Sequence, residues 1–232
     1  MNTLVEGKRN HLTFNHHLDE LEEVMEFRLT YDGALMADGG GATHKHEIRK
    51  VFHKQLKHLW TIQPILQHWL KPNSAPPIRV EGNALQQSGK SYLESLGDNF
   101  NIGNYRFAPL ATEAKLAIVS LDILFLRSGK PGSIMKSADL DGRLKTLIDA
   151  LRMPNQVNEV GEYTSPDEDE KPFYCLMEDD KLVGNIAITA DVLLQPTEHA
   201  NNGYYDTHDA RVIVSVSLRA ASGGNFGSIN WI

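Results

Sequence analysis

The sequence predicts a mixed α/β chain of the α+β kind: one small, mostly antiparallel sheet flanked by helices. Three observations carry this. Glu26 to Tyr31 and Arg211 to Arg219 alternate polar and apolar residues, as half-buried strands do. Ala114 to Leu126 is rich in Val, Ile, Leu and Phe with no helical period, which marks a more buried strand. His46 to Trp60 and Ala138 to Leu151 repeat apolar residues at helical spacing.

In order along the chain, residues 1–24 read as a polar extension that ends in the acidic run Asp19-Glu20-Leu21-Glu22-Glu23, and the fold proper starts at residue 25. Asp32-Gly33 turns the first strand, and Gly39-Gly40-Gly41 reads as a flexible loop. The next helix buries Ile48, Val51, Phe52, Leu56, Leu59 and Trp60. Its other faces carry Arg49, Lys50, Lys54 and Lys57, with Lys45 just before it. These five residues form the chain's one dense basic region, read either as a solvated helix face or as a surface for phosphates. Pro64, Pro72, Pro76 and Pro77 break the next segment, with a short strand at Ile78 to Val80, and Gly97 to Pro109 has the composition of a loop. Gly89-Lys90-Ser91 resembles the end of a phosphate loop but has Ala84 where the earlier glycine belongs.

After the 114–126 strand and the 138–151 helix comes a polar stretch from Val157 to Pro172. It contains Asp167-Glu168-Asp169-Glu170, which by charge alone predicts a disordered, solvated segment or an acidic flap that competes with DNA for the basic helix. Lys181 to Leu194 and Arg211 to Arg219 supply two more strands, and residues 221–232 form a glycine-rich tail. The expected organisation is a single domain over 25–220 between the extension and the tail.

With 232 residues the chain can bury a sizeable core, and 41% hydrophobic content is that of a globular protein. No apolar run approaches the roughly 18–20 residues of a membrane span, so no membrane is expected as a partner and a cytoplasmic protein is. The single cysteine, Cys175, excludes an internal disulfide. Lys plus Arg number 23 against 30 Asp plus Glu, a formal charge of −7. An acidic protein of this kind grips nucleic acid only if its positive charge is segregated.

The chemistry concentrates in Ala138 to Leu151 and in Glu178-Asp179-Asp180. Leu140, Leu144, Leu147, Ile148 and Leu151 give the helix an apolar stripe, while Asp141, Lys145 and Asp149 follow at intervals of four along another side. Asp139 stands at the helix entrance, where a carboxylate suits the free N–H groups. Clustered aspartates stay ionised near a cation, and oxygen ligands suit Mg²⁺ or Mn²⁺. An Asp cap followed by an i, i+4 Asp–Lys pair is also how many solvated helices begin.

The order Asp139, Asp141, Lys145, Asp149 and then Asp179-Asp180 ahead of a strand resembles the RusA family of Holliday-junction resolvases. The likeness covers roughly Glu26 to Ala220 on about a dozen positions. It departs at Gly142, where the family commonly has Asn, in a longer loop before Asp179, and in lacking a basic residue from Ile186 to Asp191. The resemblance implies a homodimeric, Mg²⁺- or Mn²⁺-dependent endonuclease acting on branched DNA. Asp139, Asp141 and Asp180 would be ligands, with Asp179 a neighbouring ligand or support. Lys145 would stabilise the phosphate and Asp149 would hold Lys145 or the fold. Lys45, Arg49, Lys50, Lys54 and Lys57 would hold the DNA. A catalytically silent binding or assembly protein, and a metal-dependent hydrolase of another substrate, are the alternatives.

Overall fold

A computed structural model describes residues 25–37, 41–79, 85–127, 137–198 and 208–220, with 137–139 as backbone. The expected α+β class is what it shows. Four strands make the main sheet: β1 (Met25–Ala34), β6 (Ala117–Arg127), β8 (Val183–Val192) and β9 (Asp209–Ala220). Their spatial order is β1-β9-β6-β8, antiparallel except for the parallel pair β6 and β8. Alternation in the sequence sets the register. Val212, Val214, Val216 and Leu218 of β9 and Val119, Leu121, Ile123 and Phe125 of β6 face one core, and Ser215, Ser217, Ser120 and Asp122 take the opposite face.

Two helices cover the apolar face. In α1 (Gly41–Ile62), Ile48, Phe52, Leu56 and Trp60 are buried; in α4 (Ser137–Leu151), Leu147, Ala150 and Leu151 are. The parallel β6–β8 pair requires a crossover, and α4 lies in that crossover as such connections demand. Among the described residues no helix is long and apolar enough to cross a membrane.

The structure corrects the reading of Gly97 to Pro109 as a loop. A short helix, α3 (Tyr92–Asn99), starts on a capping box in which Ser91 and Glu94 bond reciprocally, and passes into β4 (Asn101–Ile102) and β5 (Tyr105–Ala111). The latter pairs in parallel with β7 (Phe173–Met177), every residue of which is buried. A strand buried on both faces shows no alternation, which hides β5 and β7 from a periodicity search. This second sheet has its own aromatic core: Tyr105, Phe107 and Phe173 pack with Met153, Val160 and Cys175. Completing the chain, α2 (Pro64–Trp69) follows α1, and Ile78–Arg79 and Leu85–Gln86 form a two-strand ribbon, β2 and β3.

The expected strand start at Ala114 moves to Ala117, because Glu113–Lys115 makes a 3₁₀ turn that ends on left-handed Leu116 (φ 49°). That turn buries Lys115. Its Nζ lies 4.0 Å from the centroid of Trp69 and 4.6 Å from that of Tyr92, and donates to the Leu110 carbonyl at 3.2 Å. The two rings favour the ammonium, but burial outweighs them and lowers the lysine pKa to about 7.

Between pH 7 and 10.5 the unfolded chain therefore binds more protons than the folded one, so Lys115 makes stability rise with pH over that window. Lys115→Met is expected to stabilise the protein at pH 7 by about 1–3 kcal/mol and to flatten this rise. Urea unfolding at pH 7, 8.5 and 10 measures both.

Candidate functional site

Helix α4 is tied into the fold on one side and open on another. Arg143 and Thr146, both buried, donate to the carbonyls of Leu35 (2.6 Å) and Ala37 (2.9 Å) just past β1. Asp141 and Lys145, one turn apart, are exposed. Asp139 belongs to the first turn of the helix; its side chain lies outside the described residues. Asp149 does not hold Lys145. Its carboxylate takes Lys45 Nζ at 2.6 Å and Arg152 Nε at 3.4 Å, so it serves the fold.

The second acidic group follows β7. Glu178 Oε2 accepts the Glu113 N–H at 2.9 Å, and burial, then the Asp179 charge, raises its pKa. Asp179 caps the turn Asp180–Leu182 by accepting the Lys181 N–H at 3.0 Å; Asp180 is exposed. Position along α4 separates the two groups. Leu140 and Leu144, flanking Asp141, lie with Ile123, Phe125 and Ile188, whereas β7 meets α4 at its other end, where the Met153 N–H donates to Met177 O at 2.9 Å. From Asp141 to Arg152 a helix rises about 16 Å. Among the described residues no three His, Cys, Asp or Glu side chains gather as a metal site. One chain thus presents Asp141 with Lys145 toward one end of α4 and Asp179 with Asp180 toward the other.

The basic helix is also not the surface its composition suggests. Arg49 is 1% exposed and takes no part in a DNA-binding surface. It donates to Asp149 O (2.7 Å), Arg152 O (3.0 Å) and Glu159 O (3.5 Å), and its Nη1 lies 3.1 Å from His46 Nδ1. Lys45 is paired with Asp149. Lys50 meets Glu170 at 2.8 Å and Asp167 at 3.0 Å. Burial acts to lower the Lys50 pKa, but the hydrogen bonds to Glu170 and Asp167 prevail and hold it above its ordinary value. Lys57 donates to Asp169 O at 2.6 Å. Lys54 is exposed, with no ion pair among the described residues.

The partners of Lys50 and Lys57 belong to the acidic stretch read from composition as solvated or as a flap over the basic helix; it is an ordered strap docked on α1. A capping box joins Asp167 and Glu170, and Glu170 is 2% exposed. His53, beneath the strap, accepts the Tyr174 N–H on Nδ1 at 2.8 Å, so its Nε2 carries the proton and donates to Asp169 O at 3.1 Å. Burial lowers its pKa and keeps the ring neutral for both bonds. Gly161 opens the strap at φ 65°, where an added Cβ would collide with the Thr43 backbone. The residues that sequence reasoning missed, His53 and Gly161, gave no signal on their own; only their position across from distant segments in space assigns them.

Comparison with protein-family models, with curated proteins and with solved structures finds no match to this chain.

Because Glu170 is buried against Lys50, Glu170→Ala is expected to destabilise the protein by about 2 kcal/mol, leaving a half-buried ammonium without its nearest counter-charge. Glu168→Ala, at an exposed position, is expected to change stability by less than about 0.5 kcal/mol. Chemical denaturation of the two variants side by side checks the difference.

Proposed function

We propose that this chain is a divalent-metal-dependent endonuclease that hydrolyses phosphodiester bonds in branched DNA such as Holliday junctions, and that it acts as a homodimer. The observation that carries the reading is the exposure of Asp141 and Lys145 on one face of α4, while Asp149 and the neighbouring cations are held in internal pairs. A carboxylate and an ammonium one helical turn apart and open to solvent can address the same phosphate.

Asp141, with Asp139 on the same turn, offers the hard oxygen donors that suit Mg²⁺ or Mn²⁺. This reading calls for Asp180, with Asp179 beside it, as the further ligand, although one chain holds both toward the other end of α4. Such an ion lowers the pKa of a bound water and offsets charge on the scissile phosphate. Lys145 adds positive charge where the transition state is most negative, and the apolar stripe of α4 holds it in place. The separation of the two acidic groups along α4 supports a second reading, a nucleic-acid-binding or assembly protein that does not cleave.

Cleavage of a labelled four-way junction, beside linear duplex and single strand and with or without Mg²⁺, decides between them. On the first reading Asp141→Asn lowers the cleavage rate by about 100-fold or more with the fold intact by circular dichroism, and Lys145→Ala lowers turnover more than metal affinity. A wild-type protein that binds the junction but never cuts it supports the second.

The internal pairs also sharpen where phosphates can be held. Lys54→Ala is expected to flatten the dependence of log affinity on log salt by about 0.9, one lost phosphate contact. Lys50, engaged by the strap, contributes no such contact, so the slope of Lys50→Ala equals that of the wild type. Binding isotherms at four salt concentrations test both.

A further inference from the structure

Helix α1 buries three histidines, and each accepts a hydrogen bond on a ring nitrogen. His44 Nε2 accepts the Met36 N–H at 3.3 Å, His46 Nδ1 accepts from Arg49 Nη1 at 3.1 Å, and His53 Nδ1 accepts the Tyr174 N–H at 2.8 Å. An imidazolium carries a proton on both nitrogens and accepts nothing. His46 stays neutral because burial, then the charges of Arg49 and Lys50, lower its pKa to about 3, and His44 faces Met36, just past β1. Of the three, His53 is the one hydrogen-bonded to the strap, through Asp169 O.

The ring of His53 lies between β7 and the strap, 4.4 Å from the ring of Phe173. Burial is the largest influence on it and lowers its pKa; the bond to Asp169 and the carboxylates of Glu170 and Asp169 work the other way, and Lys57 on α1 works with burial. His46, on the same helix, is neutral, and the Tyr174 phenol of β7 keeps its proton, its pKa pushed up to about 12 by burial. While the strap is closed the ring is therefore neutral, and only the neutral ring fits. A proton on Nδ1 sets N–H against N–H at Tyr174, and turning the ring over gives no relief, since both nitrogens then donate. Tyr174 is fixed by β5, where it pairs with Ala108. The ring gives way instead, and with it Asp169, an exposed residue of the strap.

We infer that the strap is an acid-released latch over the cationic side of α1: a proton taken up by His53 at Nδ1 ends its bond to Tyr174, moves the ring outward with Asp169, and frees Lys50 and Lys57 for phosphate. What the latch covers fits that role. Lys50 is held by Glu170 and Asp167 and Lys57 by Asp169 O, beside the exposed Lys54. From Ile48 to Val80 the chain has no carboxylate, so Lys50 and Lys57 depend on the strap, and not on neighbours in sequence, for their partners. At neutral pH the strap withholds two cations from the surface of α1, and in acid it returns them. The gain in phosphate binding rests on the nucleic-acid contact that both readings above share; the latch itself does not.

Hydrogen exchange of the full chain, corrected for the intrinsic pH dependence of exchange, follows the strap directly. From pH 7.5 to 5.5 the opening of residues 164–171 should rise about tenfold, the ratio for a histidine that titrates at its ordinary value of about 6.5 when open and stays neutral when closed. Strand β9 should change by less than about twofold. His53→Asn, which keeps an acceptor for Tyr174 but no titrating ring, should show the same opening at both pH values. Should that variant not fold, nitrogen-15 spectra of the histidine rings in the wild type decide: His53 Nδ1 should be bare at pH 7.5 and gain its proton in step with strap exchange. A strap unchanged at pH 5.5, a His53 protonated while the strap stays protected, or a rise that His53→Asn retains overturns the latch; the last places the trigger in the carboxylates of Asp167 and Glu170.

Binding of the labelled four-way junction at four salt concentrations reads the second half. At pH 7.5, with the strap closed, Lys50→Ala has the wild-type slope. At pH 5.5 the wild-type slope of log affinity against log salt should steepen by about 0.9 for each lysine set free, and Lys50→Ala should lack about 0.9 of that gain. A slope that steepens equally in Lys50→Ala, or not at all while the strap opens, overturns the phosphate role and leaves the latch. No binding at either pH removes the nucleic-acid contact itself, and the latch then stands or falls on exchange alone.

Discussion

The buried guanidinium of Arg49 holds the fold together where its layers meet. A cation taken out of water is costly unless its donors are satisfied, and here they point at the last turn of α4, to the carbonyls of Asp149 and Arg152, and at the carbonyl of Glu159 beyond. Those at the helix end are groups a helix leaves without internal partners, at the negative end of its dipole. Burial lowers the Arg49 pKa, and the Glu159 and Asp149 carboxylates nearby oppose that shift. Lys45 on Asp149 and Arg152 on Glu159 (2.9 Å) complete the clamp. The end of α4 is therefore fixed to α1 and to the start of the strap, and its first turns project from this anchor toward the far end of the sheet.

The same clamp, extended along α1, explains how a chain of net charge −7 carries one dense run of cations. Lys45, Lys50 and Lys57 face acceptors that are distant in sequence but adjacent in space. Asp167 to Glu170 is ordered because its charges are met by α1 and because His53 and the capping box satisfy its backbone. Tyr163 adds its ring, 4.8 Å from Lys50 Nζ. Counting charges along a sequence finds a segment too polar to fold. Opposite charge suggested the basic helix as its surface, but the bonds that order the strap there, through His53 and the capping box, follow only from the fold.

Legibility in the sequence followed periodicity and failed where pairing decided the outcome. Strands β1, β6 and β9 and helices α1 and α4 were readable because each has one wet and one dry face, which leaves a period of two or of about 3.6. β5 and β7 were not, since FYCLM is buried throughout and YRFAPLA at every residue but Arg106, so neither carries a period. Arg49 was read as a surface cation for a related reason: it departs from the apolar stripe of α1, and the sequence does not show that α4 covers that face too. The strap was legible in composition but not in fate. For the candidate site, the exposure of Asp141 and Lys145 is common to both readings of their spacing, a metal site and a solvated helix start. The assumption that order along the chain brings Asp180 to them did not allow for β7, which delivers the second acidic group to the opposite end of α4.

Electrostatics alone accounts for much of the charge on α4, and this bears on what its carboxylates mean. Anions at a helix start and cations at its end are each favoured by the dipole, so Asp139 and Asp141 at one end and Lys45, Arg49 and Arg152 at the other need no ligand to explain them. The dipole does not account for the stripe of Leu140, Leu144 and Ile148, which is half-buried because it packs on the margin of the core. Packing likewise explains the β1 edge, where Gln55 of α1 reaches across to close Thr30 with two hydrogen bonds, a contact that no rule of charge at helix ends would supply.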